Sequence, residues 1–166
     1  MNVAVHLEPA SGLPPSVEYR WDADTDILTA RMDGAATGLG MSGSVELGGT
    51  DGSWLILDVS KGRITGVEVA VWPNVQRRST LAPPSVVEEA QVHIPARASQ
   101  PGVASLEMEM PIIAESDAAK RVIHFRVGKR RELRTIRLAR DLLLELDPNS
   151  RIAGLWMLNV PPFPAT

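Results

Sequence analysis

The stretch Asp22-Ala23-Asp24-Thr25-Asp26-Ile27-Leu28-Thr29-Ala30-Arg31-Met32 decides how this chain is read, because it recurs as Asp117-Ala118-Ala119-Lys120-Arg121-Val122-Ile123-His124-Phe125-Arg126-Val127. The leading Asp, the Ala after it, the late Arg and every apolar position of the strand coincide without a gap. Further along, Leu55-Ile56-Leu57-Asp58 lies over Leu142-Leu143-Leu144-Glu145, an apolar triplet closed by an acid. After a turn one residue longer in the second copy, Arg63-Ile64-Thr65-Gly66-Val67 lies over Arg151-Ile152-Ala153-Gly154-Leu155. Both copies then run through an apolar strand to a proline, Pro73 and Pro161. Correspondences that keep their order along a chain mark an internal duplication.

Period-two alternation dominates around these segments, as in Val17-Glu18-Tyr19-Arg20, Ala90-Gln91-Val92-His93-Ile94 and Leu106-Glu107-Met108-Glu109-Met110. Such alternation suits antiparallel strands with one face on a core and one in water. Turn signals separate the runs, among them Lys61-Gly62 and Pro148-Asn149-Ser150. Residues 130–144 lack Gly and Pro and fit a helix nearly as well as a strand. The duplication resolves the tie, since this stretch overlays residues 41–57, which are strand-like and glycine-rich. The sequence therefore predicts an all-β protein: two antiparallel β repeats related by a pseudo-two-fold axis, sharing one core as a sandwich or flattened barrel. The repeats occupy residues 1–72 and 104–166. Residues 73–103 form a proline-containing linker, with one strand expected over 86–94.

Tyr19…Asp22…Asp26-Ile27-Leu28, then Ile56-Leu57-Asp58, then Gly62-Arg63-Ile64-Thr65-Gly66-Val67-Glu68 resembles a small bacterial β-rich domain family. That family carries Tyr-Asp, Asp-x-Leu, Leu-Asp and Gly-x-Ile-x-Gly-Ile-Glu in this order. The likeness covers about residues 17–72, with a weaker echo over 112–160. In the second copy Trp156 replaces the acid and Ala114 the Tyr. The resemblance implies a compact β unit and assigns no activity.

Composition narrows the function. The chain has 166 residues, of which 44% are hydrophobic and 22% charged, values of a folded domain rather than a disordered one. The absence of cysteine removes disulfides, thiolate catalysis and iron–sulfur clusters. A formal charge of −3 argues against bulk electrostatic binding to nucleic acid or anionic membrane. No apolar run approaches the roughly eighteen residues that span a bilayer. The start Met1-Asn2-Val3-Ala4-Val5-His6 lacks the basic, apolar pattern of a secretory signal, so a cytoplasmic location is expected.

Asp22-x-Asp24-x-Asp26 starts like a calcium loop, but Ile27 stands where the loop needs Gly, so a capped turn is expected and no metal. His6, His93 and His124 have no ligand spacing. Asp58, Glu68 and Glu145 sit at strand ends where solvated acids are routine. No phosphate-binding glycine loop or serine elbow is present, and no cofactor is expected.

Two features point to contact instead. The basic run Lys129-Arg130-Arg131, continuing to Arg134, Arg137 and Arg140, reads as a partner-facing patch or a solvated face. Trp54, Trp72 and Trp156 carry most of the aromatic surface and fill a core or line an apolar pocket. The leading expectation is a non-catalytic binding or assembly module, an accessory or regulatory subunit contacting another protein or a second copy. The proline-rich Val160-Pro161-Pro162-Phe163-Pro164 would dock on the partner in extended form. The alternative is a small β-barrel binding an apolar small molecule, as carrier or shape-driven cyclase. Trp54, Trp72, Trp156 and Met41 would then line the cavity, with Arg31 or Arg126 orienting a polar group.

Overall fold

A computed structural model describes residues 4–10, 12–33, 40–95 and 103–164. The chain forms β1 (His6–Pro9), β2 (Val17–Trp21), β3 (Leu28–Met32), β4 (Ser42–Gly48), β5 (Trp54–Ser60), β6 (Arg63–Val71) and β7 (Val75–Arg77). It continues through β8 (Ala90–His93), β9 (Val103–Glu109), β10 (Ile112–Ser116), β11 (Ile123–Val127), β12 (Arg134–Ala139), β13 (Leu142–Leu146) and β14 (Ile152–Met157). No helix occurs among the described residues. Residues 130–144, poised between helix and strand in sequence, contain β12, a turn at Arg140-Asp141 and β13.

Two six-stranded sheets and a two-stranded ribbon make up the fold. The first sheet has the order β2-β3-β6-β5-β4-β9 and the second the order β12-β13-β14-β11-β10-β7. Each keeps two free ends in its strand order, so neither closes into a barrel, and the arrangement is sandwich-like. Inward side chains of both sheets, including Leu28, Leu57, Val67, Phe125, Leu144 and Leu155, belong to one buried core.

Connectivity is the same in the two sheets: β2 to β6 are arranged 2-3-6-5-4, and β10 to β14 are arranged 10-11-14-13-12. Register matches as well. Arg31 pairs with Gly66 and Gly66 with Asp58, while Arg126 pairs with Gly154 and Gly154 with Glu145. The ladder then slips in both, between Asp58 and Val59 and between Glu145 and Leu146. Thr65 and Ala153 are the residues left over, which is how a β-bulge sharpens local twist.

Local chemistry accounts for the turns. Lys61 (φ 50°) and Gly62 (φ 82°) both lie in the left-handed region, as a two-residue hairpin requires between Ser60 and Arg63. Asp117 Oδ1 accepts the backbone N–H of Arg121 and Val122, closing the β10–β11 turn.

Sheet membership departs from the chain boundaries expected at 73 and 104. β7, inside the expected linker, adds to the second sheet parallel to β10. β9 adds to the first sheet parallel to β4, so each sheet's last strand comes from outside its own block. The strand expected over 86–94 is split. Glu88 bridges Ile136 of β12, and residues 90–93 pair instead with β1.

Residues 78–87 join the two opposite edges of the second sheet, from β7 to the Glu88 bridge on β12. β13 and β14, interior strands of that sheet, are buried along their whole length.

Candidate functional site

Alternation along β11, β13 and β14 sends Phe125, Leu144 and Leu155 into the core and turns His124, Arg126, Leu143, Glu145, Gly154 and Trp156 outward. That outer face is dry. The side chains of His124 and Glu145 are only 13% and 5% exposed, and Trp156 is buried. His124 Nε2 lies 2.5 Å from Glu145 Oε1, and the imidazole stacks on Trp156 at 4.1 Å between ring centroids. Arg126 Nε and Trp156 Nε1 are buried donors with no hydrogen-bond acceptor among the described residues. The corresponding face of the first sheet carries Thr29, Arg31, Asp58 and Glu68, and there Arg31 and Asp58 are exposed. One face pattern is thus built twice, once wet and once buried.

Sequence reasoning named His124 and Glu145 separately and missed their pairing. The signal lies in the matched sequence strings: Arg126, Gly154 and Glu145 stand where Arg31, Gly66 and Asp58 stand, and both trios pair across one row. The candidate acid pair Asp58 and Glu68 does not share a buried setting, since Asp58 is exposed.

The arginine run is largely engaged within the chain. Arg134 forks onto Glu88 through Nε at 2.9 Å and Nη2 at 2.7 Å. Arg137 Nε donates to Glu89 Oε1 at 2.9 Å, and Arg130 is exposed. Fork geometry suits carboxylate recognition, and here it ties the incoming segment to the β12 edge. The hydrogen bond from Arg134 holds the Glu88 carboxyl below the usual carboxylate range.

The tryptophans stand in different settings. Trp54 Nε1 donates to Glu46 Oε1 at 3.1 Å, and its ring covers Gly48. Trp72 stacks on Trp21 at 5.6 Å, meets Phe125 at 5.8 Å, and donates Nε1–H to the Asp26 carbonyl at 2.7 Å. Trp156 is on the outer face of the second sheet. Met41 is buried in the core. The proline-rich tail is seated on its own chain: Trp21 Nε1 donates to the Pro161 carbonyl at 2.8 Å, and Phe163 stands edge-on to Trp21 at 5.2 Å.

An open cleft of about 410 Å³ lies elsewhere, between the segment 12–15, the ends of β3 and β6, and β8 with β12. Leu13, Pro14, Pro15, Ile64, Val92 and Leu138 give it apolar walls, and none of the expected pocket residues Trp54, Trp72, Trp156 and Met41 lines it. Ion pairs flank it: Arg63 with Glu8 at 2.8 Å and Arg137 with Glu89 at 2.9 Å. The hydrogen bond from Arg63 lowers the Glu8 carboxyl from its ordinary value. Leu13 is 90% exposed at the rim.

In the 22–26 turn, Asp22 Oδ1 accepts Asp24 N–H at 3.0 Å and the Asp22 carbonyl accepts Asp26 N–H at 2.8 Å, a self-capped turn. Among the described residues no three His, Asp or Glu side chains gather to hold a metal ion. His6 and His93 have ring centroids 6.4 Å apart, with His124 away from both in the second sheet. No helix of the described residues is long and apolar enough to cross a membrane.

Neither protein-family models nor curated proteins match this chain.

Proposed function

We propose that the protein is a non-catalytic binding module, an accessory or regulatory subunit that contacts another protein through the open cleft. The cleft carries the reading. It is mixed in character, with apolar walls, two arginine–glutamate pairs beside it and an almost fully exposed leucine at its rim. A patch of this kind suits a polypeptide segment better than an apolar metabolite, which would need an enclosed and drier site. The two sheets supply the scaffold as diverged copies of one β unit, an origin supported by their shared strand order and bulge position. The resemblance to a bacterial β-rich family and a cytoplasmic location belong to the same proposal.

Native mass spectrometry on the protein purified gently from its host tests it. The expected result is a stoichiometric polypeptide partner, lost in a Leu13→Asp, Thr65→Trp variant whose melting temperature is unchanged. A lone monomer that turns over a substrate would overturn the reading, as would a partner whose binding ignores both substitutions.

A further inference from the structure

Four aromatic rings run in series from the core to the surface. Phe125 is fully buried, Trp72 leans on it, Trp21 stacks on Trp72, and Phe163 of the tail caps Trp21 edge-on. The ladder is fixed from below. Trp72 is tied to the Asp26 carbonyl, and Val160, buried, donates its N–H to the Arg121 carbonyl just before the tail departs. Trp21 thus presents a held indole ring whose N–H donates to the tail carbonyl of Pro161. Phe163 stays 43% exposed, and Pro162 and Pro164 are exposed.

This is the chemistry by which aromatic grooves take proline-rich chains. The rings pack against pyrrolidine, and an indole N–H finds a carbonyl that proline's missing N–H leaves unpaired within its own strand. We propose that the Trp21–Trp72 face is a recognition surface for proline-rich segments in polyproline II conformation, occupied in the free chain by its own residues 161–164. It lies at the Trp21–Leu28 end of the β2–β3 hairpin, whereas the cleft takes Met32 from the other end, so the two surfaces are separate. The tethered tail competes with an incoming segment at an effective concentration on the order of 1 mM, so the surface opens only to a better proline-rich ligand or when the tail is drawn away.

The test uses the full chain with Pro161→Ala, Pro162→Ala, Phe163→Ala and Pro164→Ala, titrated with the synthetic peptide VPPFPAT and followed by tryptophan emission. The expected result is saturable binding to this variant, at least tenfold weaker binding to the unsubstituted chain, and loss of binding when Trp21→Phe is added or when VAAFAAT replaces the peptide. Melting curves check that each variant folds. If the fourfold variant melts early, Phe163→Ala alone weakens the tail at an exposed ring and serves in its place. A folded, tail-weakened chain that ignores VPPFPAT would overturn the proposal. So would equal affinities for the unsubstituted and tail-weakened chains, because the tail would then not occupy the surface.

Discussion

His124 and Glu145 meet at 2.5 Å although their strands, β11 and β13, are not neighbours. β14 runs between them, which separates their backbones by roughly 9–10 Å. The pair closes across the place where Gly154 has no side chain. A Cβ on Gly154 would collide with Glu145 Oε1 and come within 2.6 Å of the Phe125 carbonyl oxygen. In the first sheet the same glycine, Gly66, faces Asp58 with more room, its nearest contact being the Ala30 carbonyl at 3.1 Å.

Gly154→Ala is therefore expected to cost about 2–3 kcal/mol, since backbone and a buried carboxylate must both shift. Gly66→Ala should cost less than Gly154→Ala, about 1 kcal/mol, because the exposed Asp58 side chain gives way and the Ala30 carbonyl at 3.1 Å needs only a slight shift. Urea denaturation of the two variants compares them directly. Equal losses would mean that the crossing pair does not need the glycine.

Removing one partner of the buried pair leaves the other without a mate in a dry setting. Glu145→Ala should destabilise by about 3 kcal/mol, and adding His124→Phe, which keeps a ring on Trp156, should restore part of it. A double-mutant cycle measures this, and additive losses would show that His124 and Glu145 are energetically independent.

Tyr19 is the chain's single tyrosine, so tyrosinate absorbance reports it alone. Burial raises its ionisation well above the ordinary value of 10.0, and its hydroxyl donates to the Asp141 carbonyl. The unfolded chain loses this proton first as pH rises, so the native state binds more protons above about pH 10 and stability falls there. Native protein at pH 10.5 should show little tyrosinate, with the signal appearing together with unfolding. A simple titration near pH 10 in folded protein would contradict this placement.

Glu88 behaves in the opposite sense. Its folded carboxyl is lowered by Arg134, so its contribution is present above the ordinary value of 4.5 and disappears as pH drops below it. The pair is nearly half exposed, which limits it to about 0.5 kcal/mol. Arg134→Ala should match that loss at pH 7 and show a smaller one near pH 3 by thermal melting. A loss that grows on acidification would point to a different role for Arg134.

The strands themselves were legible because period-two alternation and turn residues are local, and each half repeats the other's order of apolar runs. Residues 130–144 show how this works: their composition suits a helix, yet the overlay on residues 41–57 predicted the strands that the structure contains. Lys61-Gly62 was equally readable, since a two-residue hairpin needs both positions at positive φ. The site was much less legible. The sequence offered His124, Glu145, Arg126 and Trp156 as separate residues, and their meeting depends on which strands lie side by side.

What the sequence determined by itself is the all-β class and the matched β strings, because backbone alternation and turn chemistry act over a few residues. Only the tertiary structure decided that β7 joins the second sheet and β9 the first, and that the tail lies on Trp21. It also decided that the outer face of the second sheet is buried while that of the first is exposed at Arg31 and Asp58. Those outcomes rest on edge hydrogen bonds, ring contacts and covered surface between residues far apart in the chain, and no local pattern records them.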